Sequence, residues 1–127
     1  MSKPKSKTEK KIDSNICRAL NNVCEQTLDD TPGFQWLTHQ ANYTNFPASL
    51  LVTCVFDTEA SLSAVDKNKL QARIQSALLK IGVKFKTVGK QVVLDSEEAC
   101  ERDNNGSWDD RLSFRKELAV PRNRPTH

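Results

Sequence analysis

Histidine and cysteine carry much of the acid–base, nucleophilic and metal-binding chemistry open to side chains near neutral pH. This chain has two histidines and four cysteines. His39 is internal and His127 is the last residue. A nucleophile–base pair would have to join His39 to Cys54, with Asp57 near enough in sequence to orient the imidazole. The surrounding residues oppose that grouping. Cys54 lies within Ser49-Leu-Leu-Val-Thr-Cys-Val-Phe56, a nearly continuous apolar run that buries the thiol. No nucleophile elbow or oxyanion-hole pattern adjoins it. The reading is a non-enzymatic chain.

Metal and cofactor chemistry finds little support in the spacings. Cys17 and Cys24 are seven residues apart in a helical segment, about 10 Å along its axis and beyond disulfide reach. No C-x-x-C occurs, so the common zinc and redox spacings are missing. Cys17, Cys24 and Cys54 read as small apolar side chains, and Cys100 falls in an acidic stretch. The pairs Asp29-Asp30, Glu97-Glu98 and Asp109-Asp110 diverge when placed on a helix, and no calcium-loop spacing is present. Four isolated glycines, at 33, 82, 89 and 106, make no phosphate-cradling loop. Neither a metal nor a cofactor is expected.

Charge and aromatic residues point toward binding instead. The formal net charge of +3 comes from the ends: residues 1–11 and 111–127 each carry +4, and the span between them carries −5. Lys80, Lys84, Lys86 and Lys90 form a stretch without an acid, and Asp95 to Asp110 is acidic. With Arg122 and Arg124, those lysines are the candidate contacts to a nucleic acid, whose phosphates supply most sequence-independent affinity. Phe34, Trp36, Tyr43 and Phe46 cluster around one hairpin. Facing solvent, Trp36 and Tyr43 could contact a partner or stack unpaired bases; facing helices, they are core.

These residues need a scaffold. Thr8 can cap a helix whose stripe runs through Ile12, Ile16, Ala19, Leu20, Val23 and Leu28, stopped by Thr31-Pro-Gly33. Phe34 to Gln40 and Ser49 to Phe56 read as strands, the second buried on both faces, paired antiparallel across an Asn/Pro loop. Residues 57–66 read as a loop. Asp66 caps a helix carrying Leu70, Ile74, Leu78 and Ile81, ended by Gly82. Val83-Lys-Phe-Lys86 alternates as a half-exposed strand, and Gln91 to Leu94 is a fourth. Ser96 caps a short helical turn, and Trp108 to Leu118 forms a terminal helix. The fold class is α+β: a two-layer sandwich of order α-β-β-α-β-β, with two helices on a small, mostly antiparallel sheet. Residues 8–118 make one domain; 1–7 and 119–127 are disordered basic tails.

Phe34-Gln-Trp-Leu-Thr-His39, Asn45-Phe-Pro47 and Val52-Thr-Cys-Val-Phe-Asp57 resemble a group of small bacterial proteins labelled Fis-family transcriptional regulators. The resemblance spans about residues 10–110 and implies a DNA-associated regulator. A Fis-like helix-turn-helix needs a basic recognition helix. Asp95 to Asp110 is acidic, so no DNA-contacting residue is carried over. The element order also resembles the αββαβ arrangement of ribosome-binding factor A, a KH-type module, and Leu94-Asp-Ser-Glu97 is similar to its final strand. The G-x-x-G loop that clamps RNA in KH domains is absent.

The expectation is a cytoplasmic regulatory or adaptor protein acting through a protein partner or as a homodimer. The alternative is nucleic-acid or ribosome association through the basic tails and Lys80–Lys90. No apolar run approaches the ~18 residues that would suggest a membrane helix, and the first seven residues lack the apolar core of a secretory signal.

Overall fold

The structure is a computed structural model that describes residues 7–119, with side chains described through residue 113. The two basic tails, with Arg122 and Arg124, lie almost wholly outside the described residues.

Helix α1 spans Lys7–Asp30. Ile16, Leu20, Val23 and Thr27 recur every three or four residues, and all four are buried on one stripe; Leu28, expected on it, is 53% exposed because Thr27 holds the inward position of that turn. The helix begins before Thr8, which sits in its first turn and does not cap it. Gly33 then reverses the chain at φ +86°, a conformation that favours glycine. A β-carbon there would also collide with the Ser61 side chain.

Strands β1 (Phe34–Gln40) and β2 (Leu51–Phe56) pair antiparallel, with a bulge between Phe34 and Trp36. Every residue of β2 is buried, as its nearly continuous apolar character predicts. Helix α2 (Glu59–Ala64) occupies the segment expected as a loop. The Thr58 side chain caps it by accepting from the Ser61 amide. Helix α3 (Lys67–Leu79) has the expected cap, Asp66 accepting from the Lys69 amide at 3.1 Å, and buries Leu70, Ile74 and Leu78. Gly82 turns the chain at φ +82°. After helix α4 (Val88–Gln91), strand β3 (Val92–Ser96) pairs with β2 in parallel. Ser96 caps helix α5 (Glu97–Asn104) through the Ala99 amide, and helix α6 (Trp108–Ala119) follows.

Two expectations need correction. Among the described residues the sheet has three strands in the order β1-β2-β3, not four, and it is mixed rather than mostly antiparallel. Chain reversal through α2, α3 and α4 returns β3 alongside β2 in the same direction. Val83–Lys86 is not a strand. Its alternation is real, since Val83 and Phe85 are buried while Lys84 and Lys86 are exposed. The buried Gln91 side chain takes the place of a ladder. Its Oε1 accepts from the Lys86 and Thr87 amides, both at 2.8 Å, and its Nε2 donates to the Pro47 and Leu50 carbonyls.

The core lies between α1, α3 and one sheet face. Ile16, Leu20 and Val23 meet Val52, Cys54 and Phe56 below and Leu70, Ile74 and Leu78 alongside. The opposite face meets α5 and α6 through Trp36, Gln40 and Asp95. No helix among the described residues is long and apolar enough to cross a membrane.

Candidate functional site

The structure scatters the residues that a catalytic reading would need. Cys54 is fully buried, and burial pushes its thiol up to about 12, far from a nucleophile. Its strand partner is Leu37, while His39 pairs with Val52. Asp57 follows the far end of β2, five residues beyond Val52 and ~16 Å along the strand direction. Hydrogen bonds from the Ser61 side chain and the Thr58 amide hold its carboxyl below the usual range. His39, Cys54 and Asp57 do not form a group.

The two watched aromatics are both engaged internally. Trp36 is half-buried, its Nε1 donating to Glu97 Oε2 at 2.9 Å. Trp108 donates to the other oxygen of the same carboxylate at 2.7 Å, and the two indoles meet edge to face at 4.9 Å. Tyr43 stacks on Phe46 at 5.2 Å and donates its hydroxyl to Asp13 Oδ1 at 2.8 Å. Burial, followed by that hydrogen bond, pushes the phenol well above its ordinary value. Neither ring is an open stacking platform. Lys84, Lys86 and Lys90 are exposed on the segment that leads into β3.

Lys80 belongs to a different feature. A cleft of about 810 Å³ runs between α1 and α3 on the side away from the sheet. Ala19, Val23, Ala72, Ala77 and Ile81 supply its apolar lining, and Asn15, Asn22, Gln26 and Ser76 line it beside them. Arg18, Lys69 and Lys80 stand exposed around it. Glu25 is the one carboxylate in its lining. Arg73 closes one end, donating to both oxygens of Asp30 at 2.6 and 3.1 Å and to Thr27 Oγ1 at 3.2 Å. That bond holds the Asp30 carboxyl far below the usual carboxylate range. Arg73 is thereby neutralised locally, and the positive field of the cleft comes from Arg18, Lys69 and Lys80.

A second cluster sits where α1 crosses β1. Asp13 and Cys17, one turn apart, share a helix face, and His39 reaches them from the strand. His39 Nε2 lies 2.8 Å from Asp13 Oδ1, the oxygen that also accepts from Tyr43. The donor atoms of Asp13, Cys17 and His39 all fall within 4.8 Å of one another.

Lys80 stands out in the sequence as part of a lysine stretch, but its cleft partners Arg18 and Lys69 are 51 residues apart and carry no motif. His39 and Cys17 are separate features of the sequence, and only the packing of α1 on β1 joins them to Asp13. Comparison with protein-family models, curated proteins and solved structures finds no match, so the site's chemistry is read from its own geometry.

Proposed function

We propose that the chain is a non-enzymatic adaptor or regulatory module of the cytoplasm. It binds an acidic, amphipathic helix of a protein partner in the cleft between α1 and α3. The observation that carries this reading is the lining of that cleft: Ala19, Val23, Ala72, Ala77 and Ile81 among uncharged polar side chains, with Arg18, Lys69 and Lys80 around them and Glu25 the one acid. An apolar furrow between cationic rims suits a helix with apolar residues at one face and carboxylates beside them. Electrostatic complementarity then sets orientation and association rate. Four cysteines without a disulfide agree with a reducing compartment.

Nucleic acid is the less favoured occupant. Single-stranded binders pair a basic groove with aromatic stacking surfaces. Here Trp36 and Tyr43 are turned to internal partners, and the residues that line the cleft include no aromatic ring.

Panning a displayed peptide library against the full chain tests the reading. Enriched peptides should carry apolar residues at helical spacing with flanking acids, and should lose at least tenfold in affinity for Ala72→Trp, which fills the cleft. Ala72 is exposed, so the substitution leaves the core untouched. Enrichment without acidic bias, or indifference to Ala72→Trp, overturns the proposal. Tighter binding of a labelled single-stranded RNA, weakening steeply with salt and unaffected by Ala72→Trp, would favour the nucleic-acid alternative.

A further inference from the structure

We propose that Asp13, Cys17 and His39 form a binding site for a divalent transition metal of the zinc class. The site is independent of the cleft and of its proposed occupant. Its three donors are a carboxylate oxygen, a thiolate sulfur and an imidazole nitrogen. That mixed set suits a borderline-soft ion; magnesium and calcium prefer oxygen alone.

The geometry comes from two rigid elements. Asp13 and Cys17 are one turn apart on α1, and His39 lies on β1, which is held to β2 by its ladder. Tetrahedral zinc places neighbouring ligand atoms about 3.3–3.7 Å apart, given metal–ligand lengths of ~2.0–2.3 Å. The three donor atoms already lie within 4.8 Å of one another. The His39–Asp13 separation of 2.8 Å opens by under ~1 Å to admit the ion. Cys17 is exposed, so its thiol can turn inward without repacking the core.

Protons are accounted for at each ligand. The ion replaces whatever proton lies between His39 Nε2 and Asp13 Oδ1, and the imidazole ligates in its neutral Nδ1–H form. The Cys17 thiol loses its proton to solvent. Tyr43 donates to Asp13 and acts as a positioning residue, fixing the carboxylate that would ligate. Three protein ligands leave a fourth position for water or for a donor from elsewhere.

Titration of the full chain with cobalt(II) tests the site, because a thiolate ligand gives cobalt an intense near-ultraviolet charge-transfer band. The expected result is a band that saturates at one equivalent and is erased by one equivalent of zinc. Cys17→Ser should abolish it, Cys24→Ser should leave it intact, and Tyr43→Phe should weaken affinity ~10-fold. Circular dichroism confirms that each variant is folded. His39→Ala should likewise abolish the band; should that variant fail to fold, Cys17→Ser decides alone, since its side chain is exposed. No band, or a band that survives Cys17→Ser, overturns the site.

Discussion

The two faces of the sheet are held by different physics. On one, α1 and α3 bring Ile16, Leu20, Ile74 and Leu78 onto Val52, Cys54 and Phe56, an apolar core with the Asp13–His39 and Arg73–Asp30 pairs at its margins. On the other, α6 is fastened by polar groups. Arg111 donates to both oxygens of Asp95 at 2.6 and 2.9 Å, and to Asn104 Oδ1 at 2.9 Å. Asp95 is only 4% exposed in its side chain. The Trp36–Glu97–Trp108 bridge adds a second fastening. Outside, the contrast continues: the first side presents the basic cleft, the second the exposed acids Glu98, Glu101, Asp109 and Asp110. A face closed by apolar area is tolerant of orientation because the attraction is non-directional. A face closed by charge-assisted hydrogen bonds fixes one geometry and is costly to break in part. The second side thus reads as a clamp, and the first carries the furrow in which the partner is proposed to bind.

The sharpest way to break the comparison is to leave one charge stranded. Arg111→Ala removes the guanidinium from a buried carboxylate that keeps only neutral donors such as the Ser96 amide, and should cost about 3–5 kcal/mol in urea denaturation at pH 7. Replacing both partners, Asp95→Leu with Arg111→Met, should recover most of that loss, because apolar pairs of similar volume substitute well for buried ion pairs. Leu78→Ala on the other face should cost about 2–5 kcal/mol, with no such rescue from a polar partner. Equal responses of the two faces to these substitutions would erase the distinction.

A smaller effect is expected at Glu97. Glu97→Gln offers one carbonyl oxygen where two indole N–H groups now donate, so one is stranded, at about 1–2 kcal/mol. Both tryptophans of the chain take part in this bridge, so the near-ultraviolet circular dichroism should change with it. An unchanged spectrum would show that the bridge does not order the rings.

The least costly substitution is at the exposed rim of the cleft side. Arg73 lowers the Asp30 carboxyl from its ordinary 3.8, so the pair contributes fully above that value and is lost as pH falls through the lower folded value. Asp30→Asn should therefore be slightly less stable than the parent at neutral pH, and the gap should shrink as pH drops below about 3.8. A gap that is independent of pH would contradict the ion pair.

Legibility in the sequence followed locality. The α1 stripe, the all-buried β2, the Asp66 cap and the Ser96 cap all depend on neighbours within one or two turns, and each was readable. The Val83–Lys86 alternation reported burial correctly but not pairing, because Gln91 satisfies that backbone from a side chain. Thr58 announced α2 only through its cap, in a segment otherwise small and polar. The parallel course of β3 is set by a crossover no local pattern encodes. The site fared worse for the same reason. Arg18 meets Lys69 and Lys80 only once α1 lies beside α3, and Asp13 meets His39 only once α1 lies on β1.

Matched charge reversals on the two sides test the central claim most directly. One variant carries Arg18→Glu, Lys69→Glu and Lys80→Glu; the other carries Glu101→Lys, Asp109→Lys and Asp110→Lys. Fluorescence anisotropy with a labelled acidic helical peptide from the panning should show binding lost in the first and kept in the second. Binding that survives the first, or fails only in the second, would place the partner on the opposite side of the sheet.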